Sequence, residues 1–539
     1  MKLSIVKQLF SKSLILAAAG WCSGSGFAQV TFERVLNSSK EPQNWLTYSG
    51  NYSGHRFSPL DQINTTNGHS MVAKWVYQTG APGDGSNGRF EASPLVVDGI
   101  LYGTAQDGRV FALDARTGRS LWRYERQSPK DIRPCCGRVN RGLAILGDKV
   151  FFGTLDAHVI ALDSKTGHVV WDVTAVDYKK GYSFTVAPLI VKNLVVISPA
   201  GGEYGIRGFV EAYDANTSER KWRFNTVPEP GEPGNETWEG ESWKIGGAPG
   251  WVTGTYDAVT NTIFWTTGNP SPSNRGPGRA GDNLYSNTLL ALDADTGKLK
   301  WYFQFTKHDT HDWDAIEVPM IVDQGGKHLI VQANRNGFFY IVDRTNGKLL
   351  SASAFGTVTW THSKDSEGRP QADPDAEPTL EGRRVCPGAA GVTNWYSPSF
   401  SPKTGLFYVT ANEVCDIFST APQKYEPGNA YYGSAYIPAE DSPGLGAVKA
   451  IDPLTGKVKW EFKHVTSSSS GLLSTAGGLT FTGDAQGNFI ALDGASGKVL
   501  WHFQTGGEIH TSGPIAFGVD GKEYIAVTAG SALYVFGLP

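Results

Sequence analysis

Seven near-copies of one pattern constrain this chain most: an apolar pair, then Asp, three residues, Gly, three residues and Trp. The pattern is whole in Ala112-Leu113-Asp114-Ala115-Arg116-Thr117-Gly118, running on to Trp122. The same offset joins Asp163 to Trp171, Asp214 to Trp222, Asp293 to Trp301, Asp452 to Trp460 and Asp493 to Trp501, while Asp343 has Ser351 in the Trp place. Each copy links two alternating apolar runs through a turn such as Thr117-Gly118, which is the signature of a β-hairpin whose Gly supplies a positive φ. Successive Asp residues lie 41 to 51 apart except for intervals of 79 and 109, so the unit has the size of four short strands, a propeller blade. The longest interval has room for an extra, degenerate blade. The terminal run Ala532–Phe536 is expected to close the ring by pairing with an N-terminal segment, which hides the sheet edges. The repeated Trp residues belong to the core and carry no chemistry.

Composition agrees with an all-β chain. Of 539 residues 40% are hydrophobic, 12% aromatic and 19% charged, too apolar for disorder, and 65 Gly with 29 Pro favour turns over long helices. A net charge of -4 leaves no basic stripe for a nucleic acid. Residues 1–28 read as a signal peptide, with Lys2, Lys7 and Lys12 leading into Leu14–Ala19 and small residues before Gln29. Residues 29–539 then form one domain, without a membrane-spanning segment, secreted to a bacterial periplasm. Its four cysteines, Cys135, Cys136, Cys386 and Cys415, are an even number in an oxidising compartment, so two disulfides fit.

Chemistry is expected where the repeat is interrupted. In Pro134-Cys135-Cys136-Gly137-Arg138-Val139-Asn140-Arg141-Gly142 the adjacent cysteines either bond to each other through a strained ring or pair elsewhere. Gly201-Gly202-Glu203-Tyr204-Gly205 places a carboxylate in a Gly-rich turn that admits close backbone approach; alone it also passes for an ordinary loop. Asn269 ends the strand Trp265-Thr266-Thr267-Gly268 with a neutral oxygen donor. His308-Asp309-Thr310-His311-Asp312-Trp313-Asp314 packs three carboxylates into six residues, which is either a solvated acidic loop or a site for a cation. No Cys or His cluster elsewhere completes a zinc site, so oxygen donors and a hard metal are favoured.

Together these segments resemble the pyrroloquinoline quinone (PQQ)-dependent alcohol dehydrogenases of the methanol/ethanol family, over essentially the whole mature chain. The resemblance implies an eight-bladed β-propeller with tryptophan-docking repeats, holding PQQ in a central funnel between a vicinal disulfide and a Trp. Residue by residue, it implies Cys135 and Cys136 as the disulfide face, with Cys386–Cys415 left as a loop staple. Arg141 becomes a contact to a PQQ carboxylate, and Trp243 in Trp238-Glu239-Gly240-Glu241-Ser242-Trp243-Lys244 the stacking floor. Glu91, Thr185 and the Gly201-Gly202 backbone match further cofactor contacts, and Asn394, Trp395 and Arg335 the quinone side. Glu203, Asn269 and Asp312 become metal ligands, with Asp312 also the catalytic base. Ala200 departs from relatives that have Ser there, so one cofactor contact is expected to be lost.

The implied reaction oxidises a small primary alcohol to an aldehyde, hydride passing to metal-bound PQQ while Arg335 offsets charge on the quinone. The chain has no Cys-x-x-Cys-His for covalent haem, so a separate soluble cytochrome c is the implied electron acceptor. Asp314, two residues after the base, marks the lanthanide branch of the methanol dehydrogenases, whereas the calcium branch has a small residue there. A slipped alignment that makes Asp314 the base and leaves Ala315-Ile316 after it restores a calcium site. Dehydrogenases of larger alcohols or sugars, and cofactor-free propeller scaffolds of outer-membrane assembly, are the alternatives. Sequence leaves the assembly open, a homodimer included.

Overall fold

A computed structural model of the protein describes residues 29–80 and 89–539. The proposed leader, residues 1–28, lies outside them. Among the described residues, no helix is long and apolar enough to cross a membrane.

Among the described residues, eight sheets of four or more strands follow one another along the chain. The first full meander, Leu95–Val97, Ile100–Ala105, Arg109–Asp114 and Ser120–Glu125, is typical: neighbouring strands are antiparallel, the first is buried throughout, and the fourth alternates exposed and half-buried residues. The first strand therefore faces the middle of the molecule and the fourth its rim. The last sheet joins the two ends of the chain, because Ala532–Gly537 pairs with Val72–Gln78. This is the expected closure, and it corrects one expectation: the sheet without an Asp–Trp hairpin comes from the termini, not from the long interval. That interval holds two excursions, 355–398 and 414–444, around the sheet Ser399–Ser401, Leu406–Glu413, Leu445–Ile451 and Val458–His464. The Cys386–Cys415 disulfide ties one excursion to the base of the other.

The repeat Trp residues join neighbouring sheets. Trp122, Trp171, Trp222 and Trp460 each donate an indole N–H to a carbonyl in the next hairpin, at Ser164, Ala215, Ala294 and Gly494, over 2.9–3.2 Å. Trp501 reaches Met71 across the closure. Trp75, which lacks the upstream Asp, does the same to Ala115. The hairpin Gly makes room for the ring: a Cβ on Gly167 would lie 2.6 Å from Trp122. Where Ser218 replaces that Gly it still takes φ 61°, so the turn geometry and not the residue type is what the hairpin requires.

Two ends of each sheet are distinct. In an antiparallel meander the start of the first strand and the end of the second lie side by side. Segments entering first strands carry Glu91, Arg141, Thr185, Trp251, Asp312, Asp314, Trp395 and His510; segments leaving second strands carry Glu203, Asn269 and Arg335. All belong to one end of the ring. Cross-links such as Ser93 N–H to Arg141 O (3.0 Å) and Arg141 N–H to Thr185 O (2.9 Å) stitch these segments around the centre.

Because Trp222 is 7% exposed and bridges two sheets, Trp222→Ala should cost about 3 kcal/mol. Val259→Ala, at a position 94% exposed, should stay within about 0.5 kcal/mol of the parent. Chemical denaturation of the two variants checks this; equal midpoints would contradict the role given to the Trp.

Candidate active site

One cavity of about 320 Å³ opens at that end. Of the sequence candidates, Glu91, Cys135, Cys136, Arg141, Thr185, Gly201, Glu203, Asp312, Asp314, Arg335, Asn394 and Trp395 line it. Gly202 and Asn269 stand just behind the wall, with Asn269 Oδ1 against the Gly202 backbone, where a Cβ would lie only 2.6 Å away. Cys135 and Cys136 are bonded to each other. Ala200 lines the cavity with a methyl group.

Trp243 is the exception. It sits in the short turn Ser242–Ile245, half-buried against Val227, Trp238 and Ala248, with Arg207 over its ring at 5.1 Å. The cavity instead receives Trp251. The chain reverses through Gly246-Gly247-Ala248-Pro249-Gly250, pinned by Ala248 N–H to Asn269 O (2.8 Å) and Gly250 N–H to Pro199 O (3.1 Å), and delivers the next Trp inward. The glycine-rich turn thus brings Trp251, and not the expected Trp243, to the cavity.

Acidic groups meet at one point. Carboxylate oxygens of Glu203, Asp312 and Asp314 lie within 4.8 Å of one another, and all three residues are buried. Burial raises the pKa of each; repulsion adds to it, chiefly from Asp314 at Glu203 and from Asp314 and Glu203 at Asp312, while Arg335 opposes it. Asp314 is the anchored member. Its Oδ1 accepts the Asn269 N–H at 2.6 Å and its Oδ2 accepts Arg335 at 2.8 Å, and it is hydrogen-bonded with Trp251. A side chain on Gly268 would collide with that Oδ1. Asp312 is the free member: its Oδ1 is buried without a hydrogen-bond partner, as is Asn269 Oδ1. Three carboxylates, one of them with an orphaned oxygen, and the orphaned amide oxygen of Asn269 are a donor set that suits a hard metal ion.

The other His and Asp residues of the acidic segment are structural. Asp309 accepts the N–H groups of His311 and Trp313, each at 2.9 Å, which folds the segment so that Asp312 takes φ 61°. His311 stacks on Trp313 at 4.3 Å and bonds the Ala376 carbonyl through Nε2; burial lowers its pKa to about 4. It is no zinc ligand.

Across the cavity a basic group prevails. Arg141 pairs with Glu91 at 2.9 Å, donates to Thr185 Oγ1 at 2.8 Å, and lies 4.6 Å from the rings of both Trp251 and Trp395. Arg335 donates to the Asp312 carbonyl at 2.6 Å as well as to Asp314; burial opposes its charge, but the carboxylates of Asp314, Asp312 and Glu317 outweigh it. The cavity thus offers a cationic end, aromatic and disulfide surfaces, and a metal-type oxygen cluster. Arg89, Val139, Tyr432, Tyr436 and His510 also line it and were missed. The two Tyr come from the 414–444 excursion, which has no periodicity to read. His510 precedes the first strand of its sheet, as Glu91 and Thr185 do, and that shared place was a usable signal.

The sequence profile of the glucose/ethanol/alcohol dehydrogenase β-propeller domain matches residues 45–353, and that of outer membrane protein assembly factor BamB matches 445–537. The chain is 39% identical to quinoprotein alcohol dehydrogenase PedH of Pseudomonas putida KT2440, over 97% of this chain and 92% of the relative. It is 38% identical to a quinoprotein ethanol dehydrogenase of Pseudomonas aeruginosa, over 96% and 90%. Among solved structures, a europium-containing methanol dehydrogenase superposes with a TM-score of 0.87 at 32% identity, covering 94% of this chain and all of that one. These likenesses place the protein in the family of PQQ-dependent alcohol dehydrogenases.

Proposed function

We propose that the protein is a periplasmic quinoprotein that oxidises primary alcohols of the methanol/ethanol class to aldehydes and passes electrons to a separate cytochrome c. The observation that carries the reading is the cluster of Glu203, Asp312 and Asp314 with the orphaned Asn269 Oδ1, in the same cavity as the Cys135–Cys136 disulfide and Trp251. We read the eight sheets as the eight blades of one propeller spanning residues 29–539. Two disulfides among the described residues favour an oxidising compartment.

When bound, PQQ supplies the hydride acceptor and the metal ion a Lewis acid. The residues divide the remaining work. Glu203, Asn269, Asp312 and Asp314 would hold the metal. Asp312, the carboxylate with a free oxygen, takes the hydroxyl proton of the alcohol, while the Arg335 guanidinium offsets charge developing beside it. Arg141 and Thr185, supported by Glu91, bind an anionic substituent of the cofactor, with Asn394 and the Gly201-Gly202 backbone along its edge. Trp251 takes the stacking role that the sequence assigned to Trp243, and Cys135–Cys136 and Trp395 complete the walls.

The metal is a lanthanide in this reading. Three buried carboxylates balance a trivalent ion better than a divalent one, and the fixed Asp314 adds an oxygen to the larger shell. The free Oδ1 on Asp312 and the anchored state of Asp314 favour Asp312 as base over the slipped alternative.

Asp312→Asn should lower dye-linked ethanol oxidation by ~10²-fold or more, the low end for a positioned base; unchanged turnover would remove Asp312 from the mechanism. Trp251→Ala should impair PQQ retention, measured by absorbance of the purified protein, while Trp243→Ala leaves it unaltered, and the reverse order would restore the original assignment. Protein reconstituted with PQQ should turn over with lanthanum and lose that activity in Asp314→Ala. Full activity with calcium and none with lanthanum would refute the metal.

A further inference from the structure

A chain of charged groups leads from the rim of the cavity to its cationic end. Arg89, at the rim, pairs with Glu508 at 3.2 Å; Glu508 faces His510 Nδ1 at 3.6 Å; His510 Nε2 faces Glu91 at 3.3 Å; and Glu91 pairs with Arg141 at 2.9 Å. The strand entry that carries His510 is fixed to the opposite segment, since Ser512 donates its N–H to the Glu91 carbonyl at 2.9 Å. The His510 ring lies 5.2 Å from Trp395, and its side chain is 13% exposed, on the cavity wall. None of the assigned roles uses it.

We infer that His510 is a cofactor-positioning residue that, as an imidazolium, helps Arg141 hold an anionic substituent of the bound quinone. The charges support this. Arg89, Arg141 and His510 provide three cations against the two carboxylates Glu91 and Glu508, so a carboxylate of the cofactor finds an uncompensated positive charge at this end. Burial opposes protonation of His510, and Arg89 does so weakly, but the neighbouring carboxylates of Glu508 and Glu91 prevail and raise its pKa above the ordinary ~6.5. A group with a raised pKa contributes its attraction fully at low pH and loses it as pH rises through that pKa. The hold on the cofactor is therefore tightest at low pH and loosens as pH rises through the raised pKa of the imidazole.

The inference rests on PQQ occupying this cavity, and release of PQQ from the holoprotein tests it apart from turnover. Protein loaded with PQQ and lanthanum is diluted between pH 6 and 9, and free PQQ is followed by its fluorescence. The parent should release PQQ about tenfold faster at the alkaline end. His510→Gln should release it at the fast rate throughout, and Glu508→Gln should move the midpoint to lower pH by removing a partner of the imidazolium. His510→Gln with the parent's rates and pH profile would overturn the inference, as would an unmoved midpoint in Glu508→Gln should the first variant fail to fold. A parent protein that takes up no PQQ at any pH would overturn the functional reading itself, and the inference with it.

Discussion

Three carboxylates forced together away from water are the constraint on which the rest of the site turns. At separations within 4.8 Å, each charged pair among Glu203, Asp312 and Asp314 costs about 3 kcal/mol or more at an effective dielectric of ~20. Arg335 offsets part of this from one side. Left alone, such a cluster takes up protons, which is the direction in which burial and mutual repulsion push all three groups. A bound cation would reverse that direction and, in the proposed mechanism, leave Asp312 ionised, ready to take a proton from a substrate. The same charge that assembles the site therefore sets its chemistry.

The sheets make this concentration of charge affordable by carrying none of it themselves. Their inner strands are largely buried and apolar, and the Trp bridges hold neighbouring sheets in register. Most of the residues that line the cavity sit where chains enter the first strand or leave the second, so contributions from distant parts of the sequence meet at one end. Glu91, Asp312 and His510 are far apart along the chain but share that position in their sheets. Backbone hydrogen bonds tie such entry segments to their neighbours, as Ser93, Arg141 and Thr185 show.

Much of this was legible in sequence, for a physical reason: a hairpin with a left-handed turn and a bridging Trp demands particular residues at particular spacings. Asp114–Trp122 announces its sheet directly. The sheet built from both termini has no such hairpin, and its strands were partly read from the terminal apolar run alone. In the site, Cys135–Cys136 and Asp312–Asp314 could be found because their spacing is itself chemical. Trp251 could not be told from Trp243, since two Trp residues flank one Gly-rich run and only the folded path through Gly247 and Gly250 decides between them. Tyr432 and Tyr436 belong to an excursion with no repeat, and their place depends on contacts such as Tyr431 N–H to the Glu203 carbonyl, 2.6 Å, that span more than two hundred residues. Asp309, the remaining carboxylate of the acidic segment, is a backbone cap.

Anomalous diffraction from crystals of the holoprotein, grown after loading with PQQ and a lanthanide, tests the central claim most directly. The account predicts one dominant peak, bounded by oxygens of Glu203, Asn269, Asp312 and Asp314, with Arg335 beside it. A peak elsewhere, or density for the ion that omits both Asp312 and Asp314, would contradict it.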